Sequence, residues 1–198
     1  IPVAPIVLPK DPAQILVSGD RHYLHIRLRA FRRGSCAAVD EKLREARAEI
    51  QGVILDLRHN RGGIVEEAEC LVRLFADEPK VVTRQALSLE FPTDLNFHKE
   101  LPDHSKKNRG VAPFADLKLI LLINGMSASA SEITAGALQD FGRAWIVGER
   151  SYGKGITQLY GQVEGYPELQ ILKTVSRYLR PSGLGVHGQG IQPNFEVP

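Results

Sequence analysis

Three serines alternate with alanines in residues 124–132, between an apolar stretch and a segment of helical pattern. They are Ser127, Ser129 and Ser131. A strand-to-helix turn is a position that nucleophilic serines favour, because the hydroxyl is exposed and the amide after it can donate to an oxyanion. Ser129 and Glu132 also fit a capping box, in which the serine only caps a helix. The pattern alone leaves both interpretations open.

A nucleophilic serine requires a base, and the sequence offers two kinds. The histidines are scattered along the chain, and folding could bring any of them close: His22, His25, His59, His98, His104 and His187. A lysine also serves when burial lowers its pKa from about 10.4 toward about 7–8. Lys154 is the lysine candidate, since it stands between two glycines and between two predicted strands.

A glycine junction at residues 56–63 is a second place for chemistry. It ends in Gly62-Gly63 and connects a predicted strand to a predicted helix. Glycines permit a tight turn and leave amide N–H groups pointing outward at a helix N-terminus. Such amides can hold an anion or an oxyanion, although a simple turn without a ligand fits the pattern equally well.

A phosphate-binding loop is a rival interpretation of residues 148–154. These residues match the first seven positions of a P-loop, but the eighth position, which should be Ser or Thr, is Gly155. A P-loop also opens a helix, whereas residues 156–160 have the pattern of a strand. Both departures argue against a nucleotide site.

Composition excludes several classes of protein. The chain has 198 residues, of which 43% are hydrophobic and 24% charged, as in an ordinary globular domain. A net charge of +2 does not indicate nucleic-acid binding, and no apolar run approaches the roughly 20 residues of a membrane helix. Two cysteines exclude a disulfide framework and a four-cysteine zinc site. Whether Cys36 and Cys70 pair stays open.

Hydrophobic periodicity predicts a single α/β domain over residues 1–198, since strands alternate with helices. Residues 1–19 hold four prolines and predict an extended lead-in, residues 92–116 a long polar excursion, and the chain after Pro181 an extended surface tail. The predicted strands are 23–30, 52–57, 81–89, 117–123, 144–147, 156–162 and 169–177. The predicted helices are 37–49, 64–77 and 131–141.

Five blocks of sequence, taken in this order and at these separations, form a specific pattern. They are 52–58 with Gly62-Gly63, 127–133, 138–140, 147–149 with 152–155 and Gln158, and 181–183 with 190–193. Together they resemble the carboxyl-terminal processing peptidases, which are tail-specific serine proteases with a Ser–Lys dyad. The likeness covers most of the chain.

The resemblance implies a role for each matching residue. Ser129 matches the family nucleophile, and Lys154, 25 residues later, matches the lysine base. Gln158 matches a glutamine whose amide oxygen aims the lysine. Asp140 matches a family aspartate with a supporting, less defined role. The implied oxyanion hole consists of the amides of Ala130 and Gly62, with Gly63 as the alternative.

The resemblance also implies a fold and a reaction. The fold is the family's catalytic core, a ββα spiral like those of ClpP and crotonase. The reaction is endopeptidase cleavage of proteins near accessible C-terminal tails through an acyl-enzyme, without metal, nucleotide or other cofactor. The alternative is a catalytically silent relative that holds a ligand or peptide in the same groove.

Two departures and one expectation about location accompany the resemblance. Family members usually carry a PDZ domain upstream, and none is apparent here, which predicts a core excised from a longer protein. Position 126 is often glycine in the family and here is Met126, which is expected to narrow the pocket beside the nucleophile. Because the family is largely exported, a periplasmic or other extracytoplasmic location is expected, although no signal peptide is visible.

Overall fold

The computed structural model describes residues 13–18, 20–76, 84–87, 111–163 and 166–198. These residues contain nine strands and three helices. The strands are β1 Ala13–Ser18, β2 Arg21–Arg27, β3 Gly52–Asp56, β4 Arg84–Leu87, β5 Lys118–Ile123, β6 Trp145–Gly148, β7 Ile156–Val163, β8 Tyr166–Leu179 and β9 Phe195–Glu196. The helices are α1 Ser35–Ala46, α2 Val65–Phe75 and α3 Ala130–Asp140.

A six-stranded sheet in the order β1-β2-β3-β5-β6-β9 forms the centre of the fold. Only β1 is antiparallel; each of the other neighbouring pairs is parallel. Leu55 of β3 lies opposite Ile26 on one side and Leu121 on the other. The predicted α/β class is therefore confirmed, and the carboxyl ends of the parallel strands meet at one edge of the sheet.

The core lies between the sheet and the three helices. Alternate residues of β5 are buried, as in a strand with one covered face, whereas in β3 every residue except Ile54 is buried. Helix α2 packs against both α1 and α3. The fully buried aliphatic and aromatic side chains include Leu43, Leu55, Leu71, Phe75, Leu121, Leu138 and Ile146. This single apolar cluster fixes the ends of β3 and β5, from which the candidate site is built.

A second, three-stranded sheet in the order β4-β8-β7 carries the long hairpin of β7 and β8. The pairing of β7 with β8 shifts register between Thr157 and Gln158. The two strands predicted at 156–162 and 169–177 are confirmed, although β8 begins earlier than predicted, at Tyr166. Of the strand predicted at 81–89, residues 84–87 are described and form β4; residues 92–110 of the predicted excursion lie outside the described residues.

Two sequence predictions need correction. Residues 13–18, taken as part of an extended lead-in, form β1 at the edge of the large sheet. Its apolar residues Ile15, Leu16 and Val17 are consecutive and all exposed, so the alternation that marks a strand is missing. The tail after Pro181 is not merely a surface segment: Val186 and Ile191 are buried, and Phe195 pairs in parallel with Val147 of β6.

Cys36 and Cys70 form a disulfide that joins α1 to α2, with the two Cα atoms 6.0 Å apart. Glu67 reinforces the same junction, because its carboxylate accepts the N–H of Gly34 and the N–H of Cys36, each at 2.8 Å. The first turn of α1 is thus capped by a side chain from α2. No helix in the described part of the chain reaches the length and apolar character that a membrane crossing requires.

Candidate active site

The serine elbow, residues 127–132, follows the carboxyl end of β5 and opens helix α3. Ser129 has a φ of 57° and a ψ of −115°, a backbone conformation that residues with a Cβ atom rarely adopt. Strain of this kind concentrates at functional sites. The predicted capping box is present, with Glu132 accepting the N–H of Ser129 at 2.8 Å.

The hydroxyl groups of the two flanking serines are both engaged in hydrogen bonds to the backbone. The hydroxyl of Ser127 donates to the carbonyl of Leu57 at 2.8 Å, and that of Ser131 donates to the carbonyl of Asn60 at 2.8 Å. Both residues are 0% exposed, whereas Ser129 is half-buried. The alternation of serines therefore has a physical reason: two of them tie the elbow to the glycine junction, and only Ser129 presents its hydroxyl.

Glu132 is the centre of the site, with 1% of its surface exposed. One carboxylate oxygen, Oε2, accepts the backbone N–H groups of Ser129 and Lys154, both at 2.8 Å. The other, Oε1, accepts the Ser151 hydroxyl at 2.6 Å and the Gly153 N–H at 2.7 Å. Four donors on one buried carboxylate satisfy it completely, so it joins two segments that are distant in sequence.

This shared carboxylate brings Ser129 and Lys154 together. Because both backbone nitrogens lie 2.8 Å from the same oxygen, they are at most twice that distance apart. The lysine loop, residues 151–155, is held from its other side by the turn at 186–190. Gly188 donates to the carbonyl of Gly153 at 2.9 Å. A Cβ atom at Gly155 would collide with the backbone of His187, which is why glycine is needed there.

The glycine junction packs directly against the serine elbow. A Cβ atom on Gly62, whose φ is 95°, would lie 2.6 Å from the carbonyl oxygen of Ala128 and 2.8 Å from the nitrogen of Ala130. The N–H of Gly62 is engaged, since it donates to Asn60 Oδ1 at 2.8 Å. The described residues provide no acceptor for the N–H of Gly63 or of Ala130. These two amides can therefore donate to a ligand.

An ionised pair anchors the start of the glycine junction. Burial alone would raise the pKa of Asp56, but hydrogen bonds and charge from Arg58 hold it below its usual range. Arg58 Nε donates to Oδ1 at 2.9 Å and Nη2 donates to Oδ2 at 2.7 Å. His25 Nε2 lies 3.4 Å from the same carboxylate. The pair fixes the backbone where the chain leaves β3.

The two remaining predicted residues, Asp140 and Gln158, have different surroundings. Asp140 holds Arg180 in an ion pair, and its Oδ2 accepts the Ser182 N–H at 3.0 Å and hydroxyl at 2.7 Å. It therefore joins the end of α3 to the turn at 181–183, a structural role. Gln158 is half-buried on β7, four residues beyond Lys154 and beside the register shift.

The histidines fall outside the Ser129–Glu132 contacts. His59 Nδ1 lies 3.3 Å from Met126 Sδ, and Asn124 Nδ2 lies 3.2 Å from His59 Nε2. Among the described residues, no histidine side chain hydrogen-bonds Ser129, and no group of three or more His, Cys, Asp or Glu is arranged to hold a metal. His98 and His104 lie outside the described residues.

A cavity of about 210 Å³ opens at the carboxyl ends of β3, β5 and β6. Its polar lining comes from Arg58, His59, Asn124 and Glu149, and its apolar lining includes Ile123 and Val147. Met126, expected to narrow the pocket beside the nucleophile, contacts His59, which lines this cavity, but does not itself line it.

Sequence reasoning missed how much the site depends on Glu132 and Asn60. Glu132 was considered only as half of a capping box, and nothing local signals that its carboxylate also binds residues 151–154. Asn60 belongs to the glycine junction at 56–63, and no role of its own was predicted for it. The available signal for Glu132 was a charged residue among small and apolar residues, where burial demands partners. Asn60 stands among charged residues, so nothing in its sequence neighbourhood marks it out.

Comparison with known proteins finds relatives among serine proteases. A relative from Staphylococcus haemolyticus described as "Probable CtpA-like serine protease" is 34% identical over 149 residues, covering 75% of this chain and 27% of that protein. A relative of the same description from Staphylococcus aureus strain COL is 30% identical over 159 residues, covering 80% and 29%. The chain thus spans less than a third of the length of these curated relatives.

Solved structures share the fold. The photosystem II D1 C-terminal processing protease superposes with a TM-score of 0.75 at 23% identity, covering 97% of this chain and 49% of that one. Mature CPAF gives a TM-score of 0.74 at 15% identity, covering 94% and 49%. The model of peptidase family S41 matches residues 22–197. The chain belongs to peptidase family S41.

Proposed function

We propose that this protein is a serine endopeptidase in which Ser129 is the nucleophile and Lys154 the general base. The observation that carries the proposal is the pair of 2.8 Å hydrogen bonds from the Ser129 and Lys154 N–H groups to one oxygen of Glu132. Family membership supports a serine-type peptidase. The buried, hydrogen-bonded state of Ser127 and Ser131 favours Ser129 over its neighbours.

The proposed reaction uses the chain's own groups. Ser129 Oγ attacks the scissile carbonyl while the neutral Lys154 amine takes its proton. The amides of Ala130 and Gly63 stabilise the oxyanion; we prefer Gly63 to Gly62 because the Gly62 N–H is already donated to Asn60. Lys154 then returns the proton to the leaving amine, and water repeats the cycle on the acyl-enzyme. In this scheme the amide oxygen of Gln158 orients the Lys154 amine.

The substrate class and setting follow from the relatives and are part of the same proposal. The substrates are proteins or peptides with accessible C-terminal tails, as the names of the matching proteases suggest. The core has the ClpP/crotonase-like ββα spiral, and in the whole protein a PDZ domain captures the tails. An extracytoplasmic location fits the Cys36–Cys70 disulfide, because such bonds persist in oxidising compartments.

Hydrolysis of an unfolded protein tests the assignment directly. Casein incubated with the chain should be cleaved, and Ser129→Ala or Lys154→Ala should each abolish cleavage. The double variant should be no worse than either single one, because the two groups act as one unit. Lys154→Arg should also be inactive, since a guanidinium stays protonated near neutral pH. Turnover by Lys154→Arg would instead assign the base to a histidine, with His59 the first to examine.

A serine-reactive fluorophosphonate separates the enzyme from a catalytically silent relative. The probe should label wild-type protein at Ser129 and leave Ser129→Ala unlabelled. A chain that binds casein peptides but takes no label would support the binding-only alternative. The nucleotide interpretation has lost its structural basis, since the segment after Lys154 begins strand β7 and not a helix.

A further inference from the structure

Asn60 lies where the glycine junction and the serine elbow touch, and its side chain is 0% exposed. Nδ2 donates to the carbonyl of Leu28 at 2.8 Å, and Oδ1 accepts the N–H of Gly62 at 2.8 Å. Because the Leu28 carbonyl can only accept, this contact fixes which side of the amide faces Gly62. The side chain therefore joins the exit of β2 to the loop that carries Gly63.

The backbone of the same residue is bonded to the elbow. The Asn60 carbonyl oxygen accepts the Ala128 N–H at 3.0 Å and the Ser131 hydroxyl at 2.8 Å. The Asn60 N–H donates to the carbonyl of Leu57 at 3.1 Å. One residue thus contacts both of the loops that supply the free amides, and all of its polar groups have partners.

We propose that Asn60 is a positioning residue that sets the spacing of the Gly63 and Ala130 amides, and thereby the oxyanion hole. This inference rests on the proposed function. By holding the Gly62 N–H, Oδ1 fixes the peptide that precedes Gly62. The next peptide, which carries the Gly63 N–H, is held through its carbonyl, because the oxygen of Gly62 accepts the Phe31 N–H at 3.0 Å. The carbonyl of Asn60 fixes the elbow, and with it Ala130, relative to that loop.

Displacing one of these two amides should weaken binding of the transition state and not of the substrate. The oxyanion develops only during the reaction, so misplacing one of its donors lowers kcat and leaves KM nearly unchanged. Removal of a single oxyanion-hole donor typically costs about 10²–10³ in kcat. Displacement of a donor that remains present is expected to cost less, roughly 10–100-fold.

Asn60→Ala is the first test, with Asn194→Ala as the matched control. Asn194 Oδ1 also accepts a backbone N–H, that of Ile146 at 2.9 Å, but at the junction of β6 and β9. With a peptide substrate, folded Asn60→Ala should lose roughly 10–100-fold in kcat with KM within about threefold. Asn194→Ala should keep kcat within about twofold. A folded Asn60→Ala with wild-type kcat would overturn the proposal.

Affinity for a peptide boronic acid supplies a readout that lost stability alone does not move. The boronate forms a tetrahedral adduct with Ser129, and one of its oxygens lies in the oxyanion hole. Asn60→Ala should bind it at least about tenfold more weakly, while the cleaved product peptide binds within about twofold. Equal weakening of both ligands would contradict a role in the oxyanion hole and indicate a distorted groove.

A second variant keeps the proposal testable if Asn60→Ala does not fold. Asn60→Asp retains an acceptor for Gly62 but replaces the donor to Leu28 with an oxygen that repels the Leu28 carbonyl. Folded Asn60→Asp should therefore also weaken boronate binding, and unchanged binding would overturn the inference. Ser129→Ala in the same assays separates the two proposals: if it still hydrolyses substrate, the proposed function itself fails.

Discussion

The serine elbow and the lysine loop meet at one carboxylate but are held in different ways. Side-chain hydrogen bonds from Ser127 and Ser131 fasten the elbow to the glycine junction, directly above the core of the large sheet. The lysine loop is held by backbone contacts to the turn at 186–190 and leads into the second sheet. The proposed nucleophile is thus built into the core, and the segment of the proposed base is joined to it through Glu132 and through the Tyr152 N–H, which donates to the Ser127 carbonyl at 3.0 Å.

This difference predicts where each half of the site is vulnerable. A change at Glu132 separates the two regions, a change at a glycine of the lysine loop displaces only the base, and a change at a flanking serine loosens only the elbow. Variants of each kind have different expected effects on activity and stability.

Glu132→Gln should produce the largest loss. Four donors converge on the carboxylate, and a carboxamide would turn an NH₂ group toward two of them. Each lost charge-assisted hydrogen bond is worth about 1.5–3 kcal/mol, so we expect at least about a 100-fold drop in kcat/KM together with a lower Tm. Glu49→Gln is the control, since Glu49 is exposed and does not line the cavity; a similar loss there would contradict the special role of Glu132.

Gly155→Ala should displace the lysine loop alone. Its Cβ atom would collide with the backbone nitrogen of His187 and lie 2.9 Å from His187 Cα, and backbone atoms cannot rotate away. We expect a loss of about 1–3 kcal/mol in the free energy of unfolding and roughly tenfold lower activity. If Lys154 is the base, as proposed, fluorophosphonate labelling should slow in parallel. Gly185→Ala, where a Cβ meets open space, should change neither quantity.

Glu69→Gln should change the pH dependence of stability through helix α2, which carries neither half of the candidate site. Burial raises the pKa of Glu69 to about 7, with Arg73 opposing the shift and Glu66 adding to it. Burial is the largest cause of the raised pKa of Tyr178 on β8, and the charge of Glu69 raises that pKa further. Because folding favours the protonated acid, wild-type stability should fall as pH rises from about 4.5 to about 7, by up to about 3 kcal/mol.

Urea denaturation at several pH values measures this effect. Glu69→Gln should show a flatter pH dependence than wild type and greater stability above pH 7, with the difference vanishing below about pH 4.5. Glu49→Gln, an exposed change, should follow wild type throughout. If Glu69→Gln were less stable than wild type at pH 8, the acid would have to be ionised and stabilising in the folded protein.

Ser131→Ala should have the smallest effect. The variant loses one hydrogen bond to the Asn60 carbonyl, which keeps the N–H of Ala128 as a partner. The expected cost is about 1 kcal/mol, measured by the urea midpoint, with activity within roughly threefold of wild type. An activity loss as complete as that of Ser129→Ala would contradict the supporting role given to Ser131, and an inactive Ser131→Ala beside an active Ser129→Ala would identify Ser131 as the nucleophile.

Much of the fold followed from local patterns in the sequence. The buried strands β3 and β5 and the helices α1 to α3 were predicted within a few residues, because apolar periodicity reports directly on which face is covered. Strand β1 was missed because its exposed residues 15–17 do not alternate. The tail was misjudged because β9 pairs with a distant strand, and its glycines suggest only extended chain.

The candidate site was predictable in part. The family resemblance singled out Ser129 and Lys154 as candidates, and the capping box, which a short motif predicts, is present. The sequence did not predict that Ser127 and Ser131 bind the glycine junction, because these contacts join segments about 70 residues apart. It also did not predict that Asn60 accepts the Gly62 N–H, because that contact depends on the orientation of one peptide. The Cys36–Cys70 bond stayed open for the same reason: pairing depends on a Cα separation that only the fold defines.

The positive φ at Ser129 has an evolutionary consequence. Glycine adopts that conformation freely, whereas serine holds it at a cost of about 1–3 kcal/mol. Ser129→Gly should therefore give a more heat-resistant chain with no nucleophile. A lineage that used its groove only to hold peptides would gain by that exchange and lose nothing. A serine in this strained conformation thus fits the proposed hydrolytic role of Ser129 better than a groove that only holds peptides.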